Sequence, residues 1–124
     1  MRKRILLADD TKFMRDMLRS SLDSEYFEIV GEAKDGEQAI AMYKDLKPDL
    51  VILDINMPRL NGIDALTSIM EFDKKAKVVM CSDQKFENMI VLALKRGASE
   101  FIVKPFKKED VVKTMRAVFK DLPL

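Results

Sequence analysis

Short apolar runs alternate along this chain with stretches whose apolar residues recur at three- and four-residue intervals. The strand-like runs are Ile5 to Ala8, Glu28 to Glu32, Leu50 to Leu53, Lys77 to Cys81 and Glu100 to Val103, mostly rich in Val, Ile and Leu. Runs this continuous predict strands buried on both faces, as in parallel sheets. Between them, Phe13, Met14, Met17, Leu18 and Leu22 fall at helical spacing and predict a core-facing stripe, as do Ala39, Ile40 and Tyr43, then Ala65, Leu66, Ile69 and Met70. Met115, Val118 and Phe119 mark a final amphipathic helix, and Gly97 stands where the preceding helix should end in a left-handed cap. That preceding helix, from about Lys85 to Arg96, carries Phe86, Met89, Ile90, Val91, Leu92 and Leu94. This is more apolar surface than one buried stripe needs, so part of it is expected to face a partner; a Met-rich core is the competing reading. No linker, repeat or low-complexity segment interrupts the alternation, which predicts an α/β, doubly wound (βα)5 open parallel five-stranded sheet.

Composition narrows what such a sheet can do. At 124 residues and 48% hydrophobic, the chain is expected to form one domain over residues 1–124 with a sizeable core. With 22 basic against 21 acidic residues it has no global electrostatic footprint for nucleic acid, and Arg2-Lys3-Arg4 reads best as a solvated strand start. The apolar run from Ile5 is cut off by Asp9, too short for a signal peptide, and no segment is long enough to insert in a membrane. The absence of histidine excludes Ser-His-Asp and Cys-His catalysis, imidazole zinc sites and a phosphohistidine carrier. The single cysteine, Cys81, sits in the apolar run Val78-Val79-Met80 and reads as a buried small hydrophobe; the lack of any disulfide framework suits the cytoplasm.

The chemistry lies at strand ends. Asp9 and Asp10 close the first run and Asp54 closes the third, so neighbouring parallel strands would bring three carboxylates to the carboxyl edge of the sheet, where open α/β sheets bind ligands. Held this close, they would raise one another's pKa unless a hard divalent cation neutralised them, and an all-oxygen ligand set points to Mg²⁺. Each aspartate alone could equally well end a strand and start a turn. The coincidence of three shifts the reading to function.

After Asp54 comes a polar loop with Asn56, Met57, Pro58, Asn61 and Gly62, the fourth run ends in Ser82, and Lys104-Pro105 follows the fifth. Together with Asp9-Asp10, this order resembles the receiver domain of two-component response regulators over essentially the whole chain, most closely the single-domain, CheY-like chemotaxis receivers. The resemblance implies a flavodoxin-like sheet of order 2-1-3-4-5. It implies that Asp54 is the phosphoacceptor for a sensor histidine kinase of the CheA type, and that Mg²⁺ is held by Asp10, Asp54 and the backbone carbonyl of Asn56, with Asp9 helping through water. Lys104 would supply a fixed positive charge to the phosphoryl group, aimed by a cis Lys104-Pro105 bond. Ser82 and Phe101 would form the switch, Asn56 and Gln84 would tune the phosphoryl lifetime, and a face bearing Ile90 and Leu94 beside Phe101 would meet the output partner. Helical periodicity alone would put Ile90 inside. The family often carries Tyr where Phe101 stands and a small residue where Asp83 stands; a carboxylate at Asp83 either crowds or repels the phosphoryl group or, the preferred reading, points outward and caps the next helix.

The expected function is a stand-alone signalling protein, not an enzyme, that assists its own phosphorylation and dephosphorylation. Its partners would be the kinase, a flagellar motor switch protein or other protein target, and a phosphatase, with no direct nucleic acid. The end at Leu124 favours this over a phosphorelay intermediate or a receiver cut from a DNA-binding regulator. A small aspartyl-phosphate phosphatase of the haloacid dehalogenase type also uses an Asp nucleophile and Mg²⁺, but Asn56 occupies the offset where its acid Asp would sit.

Overall fold

The structure is a computed structural model that describes residues 1–83 and 87–124. Five parallel strands, β1 (Lys3–Ala8), β2 (Phe27–Ala33), β3 (Leu50–Leu53), β4 (Val78–Ser82) and β5 (Glu100–Val103), alternate with α1 (Lys12–Ser21), α2 (Gly36–Leu46), α3 (Gly62–Phe72), α4 (Glu87–Lys95) and α5 (Lys108–Val118). The sheet order is β2-β1-β3-β4-β5, as the resemblance implies. The central strands β3 and β4 are buried throughout, while the outer strands carry Glu28, Glu32 and Glu100.

Successive residues of a strand point to opposite faces, and the core divides accordingly. Leu6, Ala8, Val51, Leu53, Val78 and Met80 pack under Ala39 and Tyr43 of α2, Leu66 and Ile69 of α3 and Ala93 of α4. Ile5, Leu7, Leu50, Ile52, Val79, Cys81 and Ile102 pack under Leu18 of α1 and Val111 and Met115 of α5. Cys81 is buried as expected, and burial pushes its thiol up to about 12, so it is not a thiolate nucleophile.

Side-chain oxygens of Thr11, Asp35 and Asn61 cap α1, α2 and α3 by accepting from the backbone N–H three residues on. At the end of α4, Gly97 adopts φ +110°. Its N–H donates to Leu94 and that of Ala98 to Ala93, the paired bonds of a Schellman cap.

Two expectations need correction. Phe13 does not face the core but is 71% exposed, and the buried stripe of α1 is Arg15, Leu18 and Ser21. At about 100° per residue, Phe13 lies roughly 200° from Arg15, on the far side of the helix. The basic start is also more than a solvated face. Arg4 donates to the carbonyls of Leu46 and Lys47 at the end of α2, while Lys3 pairs with Asp121 at 3.2 Å and lies over the Phe119 ring.

Candidate functional site

The register of the sheet builds the site. Ala8 is paired with Leu53, so Asp9 and Asp54, each the next residue, leave adjacent strands side by side, and the Asp54 N–H donates to the Ala8 carbonyl at 2.9 Å. One carboxylate oxygen from each of Asp9, Asp10 and Asp54 lies within 4.8 Å of the others. On the other flank Ser82 pairs with Val103, and the Lys104 N–H donates to the Ser82 carbonyl at 2.9 Å. From there the Lys104 ammonium reaches Asp9 Oδ2 at 2.8 Å and Asp54 Oδ2 at 3.5 Å. The Lys104-Pro105 bond is cis.

Asp9 and Asp54 are buried and Asp10 is exposed at the mouth. Burial raises Asp54 to about 6; the neighbouring Asp9 charge adds to this, while Lys104 and the Asn56 backbone N–H oppose it. Burial alone would lower Lys104, but the Asp9 and Asp54 carboxylates outweigh it and hold the ammonium above its usual range. An incompletely neutralised cluster of hard oxygens with an exposed member is a donor set suited to Mg²⁺.

The β3–α3 connection is fixed from beneath. The Gly62 N–H donates to the Ile55 carbonyl at 2.7 Å, and a Cβ on Gly62 would lie 1.9 Å from the Asp54 carbonyl oxygen, so only glycine lets α3 begin against the end of β3. Asn56 is exposed at the rim and its Nδ2 donates to Asp83 Oδ1 at 3.4 Å. The Asp83 carboxylate thus meets the β3–α3 loop, and its expected role as the cap of α4 falls on a segment outside the described residues. Gln84, Lys85 and Phe86 lie outside the described residues. Ser82 is fully buried at the end of β4, and Phe101 is half-buried against the core. On α4, Ile90 is half-buried and Leu94 exposed, so the partner face expected there is only partly open.

The sequence reading passed over Thr11 and Arg15. Thr11 donates to Asp9 Oδ1 from both its N–H, at 3.0 Å, and its hydroxyl, at 3.2 Å. Arg15 donates from Nη1 to the Asp9 carbonyl at 2.6 Å and from Nε to Glu32 at 2.8 Å. The signal for Arg15 was positional: it stands three residues before Leu18 and seven before Leu22, on the buried stripe of α1, where a charge needs a partner.

Comparison with known proteins decides the family, because the profile of the response regulator receiver domain matches residues 5–116. The chain belongs to that family. As a receiver it is 46% identical over 120 residues to the chemotaxis protein CheY of Thermotoga maritima, covering 97% of this chain and 100% of that protein. It is 43% identical to CheY of Listeria monocytogenes, over 94% of this chain and 98% of that one. The crystal structure of a CheX-CheY-BeF3-Mg²⁺ complex from Borrelia burgdorferi contains a chain with a TM-score of 0.91 and 40% identity to this receiver, covering 94% of it and 89% of that chain. Receivers of this kind are signalling proteins that bind Mg²⁺ at the acidic pocket, and the pocket here has the carboxylates for it. No helix among the described residues is long and apolar enough to cross a membrane.

Proposed function

We propose that this receiver is a single unit over residues 1–124 that carries a chemotactic signal in the cytoplasm, accepting on Asp54 a phosphoryl group from the phosphohistidine of a CheA-type kinase. The observation that carries this reading is the convergence of Asp9, Asp10 and Asp54 with the Lys104 ammonium at one sheet edge. Asp54, held near 6, is ionised at neutral pH and free to act as nucleophile. One of its oxygens bonds to phosphorus as the bond from phosphorus to the histidine nitrogen breaks. Positioning and charge neutralisation, not acid or base chemistry, dominate such a transfer.

Asp10 and Asp54 would hold Mg²⁺ directly, with Asp9 acting through water and the Asn56 carbonyl as a further ligand. When bound, Mg²⁺ neutralises the equatorial oxygens of the transferring group. Lys104, already paired with both buried carboxylates, would give its charge to the new phosphoryl oxygens. Ser82 would then hydrogen-bond the phosphoryl group and Phe101 would turn inward, biasing a two-state equilibrium toward a form that binds a motor-switch protein through the Ile90 and Leu94 face. Asn56 and Gln84 would govern water access and so the lifetime of the phosphoryl group. Likeness to CheY proteins over nearly their whole length supports the chemotaxis assignment.

Incubation with acetyl phosphate or a cognate kinase should label the protein in a Mg²⁺-dependent manner, with the label lost in Asp54→Ala. A full stoichiometric label in that variant would overturn the acceptor. Calorimetry with a motor-switch peptide should give tighter binding after beryllofluoride activation; equal affinity in both states would favour a phosphorelay intermediate.

A further inference from the structure

We infer that Arg15 is a positioning residue that sets the Mg²⁺ affinity of the acidic pocket by fixing the peptide plane between Asp9 and Asp10. This rests on the metal-site reading above and concerns a residue whose hydrogen bonds go to Glu32 and the Asp9 carbonyl, not to the three carboxylate groups in the candidate ligand set. Arg15 is only 6% exposed, on a helix otherwise buried through Leu18 and Ser21. Its guanidinium bridges two strands from α1, with Nη1 at 2.6 Å from the Asp9 carbonyl and Nε at 2.8 Å from Glu32 of β2. The other Glu32 oxygen accepts from Arg19, and the two guanidinia together outweigh burial and keep Glu32 ionised below its usual range.

The Asp9 main chain is thereby held on both sides, its N–H by the Ala33 carbonyl at 3.1 Å and its carbonyl by Arg15. That carbonyl belongs to the peptide that joins Asp9 to Asp10. Rotation of this plane would turn two of the three candidate carboxylates relative to Asp54, so the guanidinium fixes the ligand geometry through the main chain. A buried ion pair is a weak device for stability, since a well-packed apolar pair can often replace it at no loss. It is a good device for orientation, because a planar fork of five donors serves two acceptors in fixed directions.

The test is an NMR titration of the intact chain with MgCl2 alone, following the Asp10 and Asp54 amide signals, beside thermal unfolding without divalent ions. Arg15→Met combined with Glu32→Leu should keep the unfolding temperature close to wild type yet weaken Mg²⁺ binding about tenfold or more. Arg15→Lys, which retains charge but not the fork, should fall between that variant and wild type. Arg19→Met, which touches Glu32 but not Asp9, should bind Mg²⁺ as the wild type does. Wild-type Mg²⁺ affinity in both Arg15 variants would overturn the inference. So would equal weakening in Arg19→Met, which would trace the effect to general loosening of α1. Failure of the unsubstituted protein to bind Mg²⁺ would instead overturn the metal-site reading itself.

Discussion

The two flanks of the sheet's carboxyl edge are built to opposite specifications. At the ends of β1 and β3, each buried acid is fixed by several contacts: Asp9 by Thr11, Lys104, Arg15 and the Ala33 carbonyl, Asp54 by the Ala8 carbonyl and the close approach of Gly62. Beyond β4, α4 leaves Val91 39% and Leu94 47% exposed, with Ile90 and Phe101 half-buried. Chemistry that depends on in-line geometry needs the first kind of surface, over-determined by its supports. A signal read by a partner needs the second, where a shift disturbs few buried contacts.

Gly62→Ala tests the rigid flank with the largest expected effect. The added methyl would meet the Asp54 carbonyl oxygen at 1.9 Å, and a backbone atom at a strand end cannot yield as a flexible side chain can. We expect destabilisation of about 3 kcal/mol or more by urea unfolding. Gly31→Ala is the matched control, because its methyl would first meet the far ends of side chains, Met42 Cε at 2.7 Å and Leu46 Cδ1 at 2.9 Å, and not a backbone atom. Equal losses in the two would mean that the β3–α3 junction is no stiffer than the rest of the protein.

Proton linkage at Asp54 comes next in size. Burial lifts its pKa from 3.8 to about 6, so between those values the folded chain holds a proton that the unfolded chain has released. Without divalent ions, stability should therefore fall as pH rises from about 4 to about 6. At about 1.4 kcal/mol per pKa unit the change is of the order of 3 kcal/mol at most. Asp54→Asn should flatten that part of the profile. Mg²⁺ prefers the ionised carboxylate, so its affinity should weaken below about pH 6. A pH-independent apo stability across this window would mean that burial does not hold Asp54 above its usual range.

Where sequence could see, local pattern and local chemistry agreed. Leu50–Leu53 and Glu100–Val103 were readable to the residue because polar neighbours bound each apolar run, and Asp9, Asp10, Asp54 and Lys104 were readable because their types and strand-end positions are unusual together. The rest depended on partners far away in the chain. Lys3 and Arg4 lengthen β1 although both are charged, since Asp121 and the end of α2 receive them. Hydropathy put Phe13 inside and passed over Arg15, and the fold exposes the first and buries the second because Glu32 and the Asp9 carbonyl, supplied by other elements, satisfy the guanidinium. Gly62 was visible as a loop glycine, but its close approach to Asp54 follows only from the way α3 docks on β3.

The smallest stability effect belongs to Leu94→Ala, and it sharpens the comparison from the compliant side. Leu94 is 47% exposed near the end of α4, so truncation removes little buried surface, and its backbone carbonyl would still accept from Gly97 in the Schellman cap. We expect a stability change within about 0.5 kcal/mol, as for substitutions away from the core. If this face is the one read by a motor-switch partner, the same change should weaken peptide binding by the beryllofluoride-activated protein about fivefold or more, near the 1 kcal/mol level that marks a contributing interface residue. Phe101→Ala is the contrasting probe, because Phe101 packs against the core and its loss should lower stability as well as binding. Unchanged binding in Leu94→Ala with unchanged stability would leave the exposed side of α4 without a role in output. A large stability loss there would mean instead that α4 is as firmly built as the acidic pocket.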